Sequence, residues 1–330
     1  MVPNARFTEL LEDIEPSSTT KSSASSAHTG VRYHLQGHKT FKDRWIESFL
    51  SGSYARDTSI RPKSSNGNQE RPDIDIIVVT NFTKDDAPDD VLQEVHDALK
   101  DGYGDKVKRI NKRSVRLETS QADMDGVPLI EFGNEYLIPD RNTGGWTVTN
   151  PPVHKSWSEE QNKIFGDRFK PLVKLLKWWR RENPTSKRPK GFVLEVLVSL
   201  HAPQDETHFG EAFAILLENI YEYYSLLDQK PSIEDPAVPG NDILAKVTVS
   251  QWKEFLEKVR VHAGYARRAQ NEEDMEEATC LWRKVFGDRF KKTENAAKAI
   301  SYTSFAVATT PTAGYTFPKA TPPAKPRGFA

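Results

Sequence analysis

Between residues 50 and 80 a Gly-Ser turn, Leu50-Ser51-Gly52-Ser53-Tyr54, is followed by Pro72-Asp73-Ile74-Asp75-Ile76-Ile77-Val78-Val79. This stretch restricts the chain more than any other. Ile76 to Val79 is apolar at every position, the pattern of a strand buried on both faces. Side chains alternate along a strand, so Asp73 and Asp75 share one face while Ile74 and Ile76 point to the other. Two carboxylates at the mouth of such a strand repel each other unless cations or hydrogen-bond donors compensate them. A Gly-Ser turn opening toward a helix offers backbone N–H groups and a hydroxyl to a phosphate. A bare Asp-x-Asp is more often a solvated strand end. The Gly-Ser turn upstream and a further acid downstream shift the balance toward a nucleoside triphosphate site with divalent cations.

The further acid lies in Ala122-Asp123-Met124-Asp125-Gly126-Val127-Pro128. It follows the alternating segment Ser114-Val115-Arg116-Leu117-Glu118, so a hairpin or neighbouring strand would bring Asp123 and Asp125 beside Asp73 and Asp75. Gly-Ser, then Asp-x-Asp, then one more Asp on an adjacent strand resembles the polymerase-beta-like nucleotidyltransferases. Leu50-Ser51-Gly52-Ser53-Tyr54 with Thr58-Ser59-Ile60, the Asp73/Asp75 pair and Asp125-Gly126-Val127-Pro128 are more closely similar to the cGAS/DncV-like nucleotidyltransferases of bacteria, relatives of oligoadenylate synthetase. The similarity runs from about residue 15 to about residue 290.

The resemblance implies an α+β nucleotidyltransferase fold, a mixed sheet bearing the acids and a helical lobe, with the active site in the cleft. Asp73, Asp75 and Asp125 are then the catalytic acids and the ligands of Mg2+, with Mn2+ as an alternative. Gly52 and Ser53 steady the donor phosphates, and Lys177, by the match Leu175-Leu176-Lys177-Trp178, reaches them from a helix. Where relatives carry a serine ahead of an aromatic and a Leu-Glu pair, this chain has Gly191 in Gly191-Phe192-Val193-Leu194-Glu195. The implied activity joins NTPs into a cyclic di- or trinucleotide second messenger of anti-phage defence (CBASS). The alternatives are nucleotide transfer to RNA or protein, or a catalytically silent nucleotide-binding module. Retention of all three acids speaks against the silent module.

Composition narrows the class. No stretch reaches the apolar length of a membrane span and no signal pattern opens the chain, so a cytoplasmic protein without membrane contact is expected. A single cysteine, Cys280, excludes an internal disulfide and a cysteine-rich zinc site. The net charge of −1 argues against general nucleic-acid binding.

Taken in order, Phe7, Leu10, Leu11 and Ile14 predict a short helix ended by Pro16. Residues 17 to 29 are compositionally linker-like; the resemblance makes them a long spine helix capped by Ser17 or Ser18. Phe41, Trp45, Ile46 and Phe49 repeat at helical spacing. Residues 61 to 70 read as a polar loop at the site's rim, where Lys63 or the adjoining Arg71 is more often solvated than bound to phosphate. Pro88 starts a helix striped by Val91, Leu92, Val95 and Leu99, and Gly102 stops it. Residues 144 to 154 form a turn-rich crossing and the expected lobe boundary, with His154 a structural loop histidine; the resemblance puts this segment near the acceptor side of the cleft. Residues 151 to 190 hold eleven Lys and Arg against four acids, and Leu172, Leu175, Leu176 and Trp179 face inward. Stripes over 209–224 and 252–259 predict core helices, Ile233-Glu234-Asp235-Pro236 and Asn241-Asp242 read as a capping turn, and Leu281 to Gly287 resembles the family's closing helix. The expected domains are 1–150 (catalytic core), 151–300 (helical lobe) and 301–330, a Pro-rich tail without acids. The expected partners are NTP substrates and a regulatory protein or one that conjugates to the C-terminus.

Overall fold

The computed structural model describes residues 1–65, 68–186, 189–227 and 229–292. The expected tail, 301–330, lies outside them. Two compact units divide the chain: Pro16–Ser158 with Asp235–Asn241, and Met1–Glu15, Glu159–Glu234 and the residues from Asp242 onward.

The first unit is a mixed sheet under two helices. Helix α2 (Ser18–Gly37) starts where Ser17 accepts a hydrogen bond from the Thr20 N–H, so the Ser/Thr-rich stretch is a capped helix and not a linker. Strand β1 (Trp45–Ser51) leads through the single turn α3 (Gly52–Ala55) and the short hairpin β2 (Ser64–Ser65) and β3 (Asn68–Gln69) to β4 (Asp73–Thr80). Helix α4 (Pro88–Tyr103) crosses over to β5 (Val107–Ile110), β6 (Val115–Glu118) and β7 (Asp123–Phe132), followed by β8 (Glu135–Asp140) and β9 (Gly145–Thr149). The strand order is β1-β4-β7-β6-β5, with β8 on the far part of β7 and β9 on β8. Strands β4 and β7 are parallel; β1–β4 and β6–β7 are antiparallel.

The period of two sorts the β4 residues. Ile74, Ile76 and Val78 are buried against Val31 and Leu35 of α2 and Val91, Leu92, Val95 and Leu99 of α4. Ile77 and Val79 pack on the opposite face with Leu129, Phe49 and Val127. Asp73 and Asp75 share that second face, ahead of its apolar patch.

Three local expectations are corrected. Phe41, Trp45 and Phe49 do not belong to one helix: 41–43 is a single 3-10 turn and Trp45–Ser51 is a strand. A spacing of four is common to a helix face and a strand face, and Ile46, which only the helix would bury, is 52% exposed. Gly102 does not stop α4; the His34 ring packs where its Cβ would be, at 2.3 Å, and the stop is Gly104 at φ +53°. The crossing at 144–154 is β9 followed by helix α5 (Pro151–Ile164), whose paired prolines occupy a first turn that needs no N–H donors. His154 is therefore helical. Its Nε2 lies 2.8 Å from Asp235 Oδ1.

The second unit is helical: α1 (Ala5–Ile14), α6 (Phe169–Glu182), α7 (Gly191–His201), α8 (Phe209–Ser225), α9 (Val249–Asn271) and α10 (Met275–Phe286). Helix α1 belongs here because Phe7 meets Trp282 edge-on at 4.9 Å and fills the space left by Gly210, where a Cβ would sit 2.5 Å from its ring. Leu172, Leu175, Leu176 and Trp179 of α6 are buried as their spacing predicts. Between α8 and α9, the expected capping turn is the hairpin β10 (Glu234–Asp235) and β11 (Val238–Asp242).

Candidate active site

Sheet register assembles the site. Asp75 on β4 is level with Asp125 on β7, and Asp73 with Asp123. Across the next ladder Asp125 is level with Arg116 and Asp123 with Glu118. On the other side Ser51 of β1 stands opposite Asp75. Two rows of side chains thus cross one sheet face: Ser51, Asp75, Asp125, Arg116, and beside it Asp73, Asp123, Glu118.

Gly52 opens α3 directly above this face. Its φ is +68°, and a Cβ there would lie 1.8 Å from Asp75 Oδ2. Only glycine satisfies both the left-handed backbone and the close approach of the carboxylate. Ser53 follows, and its carbonyl accepts from the Thr58 N–H at 2.9 Å, closing the turn.

The acids are balanced by arginine. Arg116 Nη1 donates to Asp73 Oδ1 at 2.5 Å and to Asp125 Oδ2 at 2.6 Å, and Nη2 donates to Asp123 Oδ2 at 3.0 Å. Burial alone would lower the pKa of this guanidinium, but the bonds to Asp73 and Asp125 raise it above its ordinary value. Asp125 Oδ1 also accepts from Asn111 Nδ2 at 3.0 Å and Ser114 Oγ at 2.6 Å. Asp123 has a second arginine, Arg71, whose Nε donates to its Oδ1 at 2.5 Å. Arg71 Nη2 lies 3.6 Å from Glu118, so Arg71, 36% exposed, is partly solvated as expected of the loop but also paired with two carboxylates. Asp75 is pushed up to about 6, first by desolvation and then by repulsion from Asp73 and Asp125, with Arg56 and Arg116 opposing.

Lys177 lies in the other unit, on α6. It is buried, with Nζ 2.8 Å from Oε1 of the fully buried Glu195 on α7. Gly191 starts α7 beside it: a Cβ at that position would lie 3.3 Å from Lys177 Cε. A serine there would press on the lysine stem. Sequence reading named Lys177 and Gly191 but missed that Glu195 holds the lysine.

Oxygen donors from Asp73, Asp75 and Asp125 suit a hard divalent cation, and the Arg116 guanidinium is a stand-in cation among them. Among the described residues the carboxylates are spread around that guanidinium and form no closed coordination shell.

Residues 1–162 match the Second Messenger Oligonucleotide or Dinucleotide Synthetase (SMODS) domain. The whole chain aligns with 98% of the Cyclic AMP-AMP-AMP synthase of Acinetobacter sp. (strain ATCC 27244 / 9458) at 46% identity. The chain is a cGAS/DncV-like nucleotidyltransferase. It is also 25% identical to the Cyclic AMP-AMP-GMP synthase of Enterobacter hormaechei subsp. hoffmannii (strain UCI 50), over 86% of this chain and 91% of that one. Its fold is that of E. coli MS115-1 CdnC, solved in a complex with HORMA-deltaN, with a TM-score of 0.72 at 19% identity over 88% and 98% of the two chains. The Bradyrhizobium diazoefficiens CD-NTase CdnG, solved with GTP, gives a TM-score of 0.72 at 16% identity over 91% and 98%. The family places the chain among cyclic oligonucleotide synthases, and with them the α+β polymerase-beta-like fold expected from its motifs. Among the described residues no helix is long and apolar enough to cross a membrane.

Proposed function

We propose that this nucleotidyltransferase joins three molecules of ATP into cyclic AMP-AMP-AMP. The observation that carries the chemistry is the register of β4 against β7, which sets Asp75 beside Asp125 with Asp73 two residues away on the same face. The choice of product is supported by full-length similarity to a cyclic AMP-AMP-AMP synthase.

In this reading Asp73, Asp75 and Asp125 hold Mg2+, for which Mn2+ substitutes. The bound ions lower the pKa of the acceptor ribose hydroxyl and neutralise charge on the donor triphosphate. Asn111 and Ser114 keep Asp125 aimed. The Gly52 turn brings its backbone, and the Ser53 hydroxyl, to the donor's outer phosphates. Lys177, held by Glu195, adds a positive charge for those phosphates. In each round an acceptor oxygen bonds to the donor α-phosphorus, the bond to pyrophosphate breaks, and the acceptor proton passes to solvent. The third round closes the ring. The product would act as a second messenger, and its place in anti-phage defence rests on the family resemblance.

The test is incubation of the purified chain with α-labelled ATP and Mg2+ or Mn2+, then phosphatase treatment and mass spectrometry. A phosphatase-resistant product with the mass of cyclic triadenylate is expected. A linear product, or label transferred to RNA or protein, would refute the reading.

A further inference from the structure

We infer that Arg116 is a resident counter-ion that occupies the acid seat in the metal-free protein, and that its departure sets the site's affinity for divalent cations. The inference rests on the carboxylate reading above and goes beyond it, because it assigns to an arginine the control of metal entry.

Three observations converge. First, one guanidinium nitrogen bridges Asp73 Oδ1 and Asp125 Oδ2, at 2.5 and 2.6 Å. An ion bound by both carboxylates needs that same space and repels that same charge. Second, the fit of Arg116 is electrostatic and incomplete. Its Nε is buried with no hydrogen-bond acceptor. Arg267 in the helical unit is satisfied throughout by comparison: its Nε, Nη1 and Nη2 all donate to Glu218 or Glu211. Third, both acids of β7 keep other supports once Arg116 is gone. Asp125 retains Asn111 and Ser114, and Asp123 retains Arg71. The orientation of these two does not depend on Arg116, whereas among the described residues the Asp73 carboxylate is held by Arg116 and turns toward solvent without it. A carboxylate outside the seat is at hand to receive the displaced charge, since Glu118 Oε1 is 3.9 Å from Arg116 Nε.

A scaffold and an occupant make opposite predictions. If Arg116 shaped the seat, removing it would scatter the acids and weaken metal binding. If Arg116 fills the seat, removing it strengthens binding.

The experiment measures Mn2+ binding to the full chain by electron paramagnetic resonance, without nucleotide and without reference to turnover. The Arg116→Met variant is expected to bind Mn2+ tighter by about tenfold or more, the scale of removing one positive charge from beside a divalent ion. Arg116→Lys, which keeps the charge, stays near the wild type. In chelator the melting temperature of Arg116→Met falls, and Mn2+ restores it by more than in the wild type. Should Arg116→Met not fold, Arg116→Gln removes the charge with less loss of hydrogen bonding and carries the same expectation. Unchanged or weaker Mn2+ affinity in the neutral variants overturns the inference and leaves the metal reading standing, provided that Asp75→Asn loses the ion. Tight binding that persists in the Arg116→Met/Asp75→Asn double variant places the ion elsewhere, and overturns both.

Discussion

Gly52→Ala separates the backbone demands of the Gly-Ser turn from its service to the acids. The new methyl group meets two obstacles. The φ of +68° costs an L-residue roughly 1–2 kcal/mol. The Cβ would also lie 1.8 Å from Asp75 Oδ2 and 2.9 Å from Asp75 Cγ. No such contact survives, and the part able to yield is the end of a side chain, so the carboxylate swings away by more than about 1 Å while the turn persists. Misplacement on that scale costs on the order of 100-fold in rate. Gly144 supplies the matched control: its φ is +66° and nothing lies within 4 Å of its would-be Cβ. Gly144→Ala should therefore melt about as many degrees below the wild type as Gly52→Ala, yet keep nearly full synthesis. The assays are thermal melting in chelator and initial rates of cyclic product formation with saturating ATP. Equal rates in the two variants would show that the approach of Gly52 to Asp75 has no part in catalysis, and the argument placing Asp75 in the reacting centre would go with it.

Three further outcomes follow from the same contacts. Asp125→Asn should abolish product, whereas Asp123→Asn, whose carboxylate is engaged by Arg71 and Arg116, should retain a substantial fraction; the reverse order in a rate assay would show that the third ligand is misassigned. Lys177→Ala breaks the buried ion pair with Glu195 and should destabilise the protein by about 3–5 kcal/mol, while Lys177→Met with Glu195→Gln recovers most of that. If the double variant still binds ATP about tenfold or more weaker by equilibrium titration, on the scale of a lost charged contact, Lys177 serves the phosphates; affinity that returns with stability makes it structural. His262, 5% exposed against Trp179, has its pKa pushed down to about 4 by burial, with Lys258 adding to the shift. Because its folded value lies below the unfolded one near 6.5, stability is fully present above about pH 6.5 and is lost as pH falls toward 4, amounting to about 2 kcal/mol at pH 5. Urea midpoints at pH 7 and 5 should differ less in His262→Gln than in the wild type, and an equal difference would refute the assignment.

The elements legible in the sequence were those whose residues satisfy one period alone. Ile76 to Val79 is too apolar for a surface strand, and the α6 stripe at 172, 175, 176 and 179 fits no strand; both are buried as read. Trp45 and Phe49 fit both periods, and what decides for a strand is pairing with β4, where they stand opposite Thr80 and Ile77. Gly102 was misread for a related reason. A glycine marks either a stop or a close approach, and only the position of His34, on another helix, tells which.

The site was legible to the extent that alternation within a strand is local. Asp73 and Asp75 share a face whatever pairs with them, and so do Arg116 and Glu118 on β6. What the sequence did not contain was the register between β4 and β7, which are parallel and separated by α4, β5 and β6. A shift of two residues would set Asp73 against Asp125 and leave Asp123 beyond the row. In the observed register both β7 acids have β4 partners, so position does not choose between them, and the distinction rests on what else each one touches. Asp123 has Arg71 in addition to Arg116, a second positive charge that opposes a divalent ion. Asp125 has Asn111 and Ser114, neutral donors that orient a carboxylate without cancelling its charge. Arg116 stands in the alternating segment before the third acid, and nothing in that segment alone singles it out. Its meaning depended on that register, because only there does one guanidinium reach carboxylates on two strands at once.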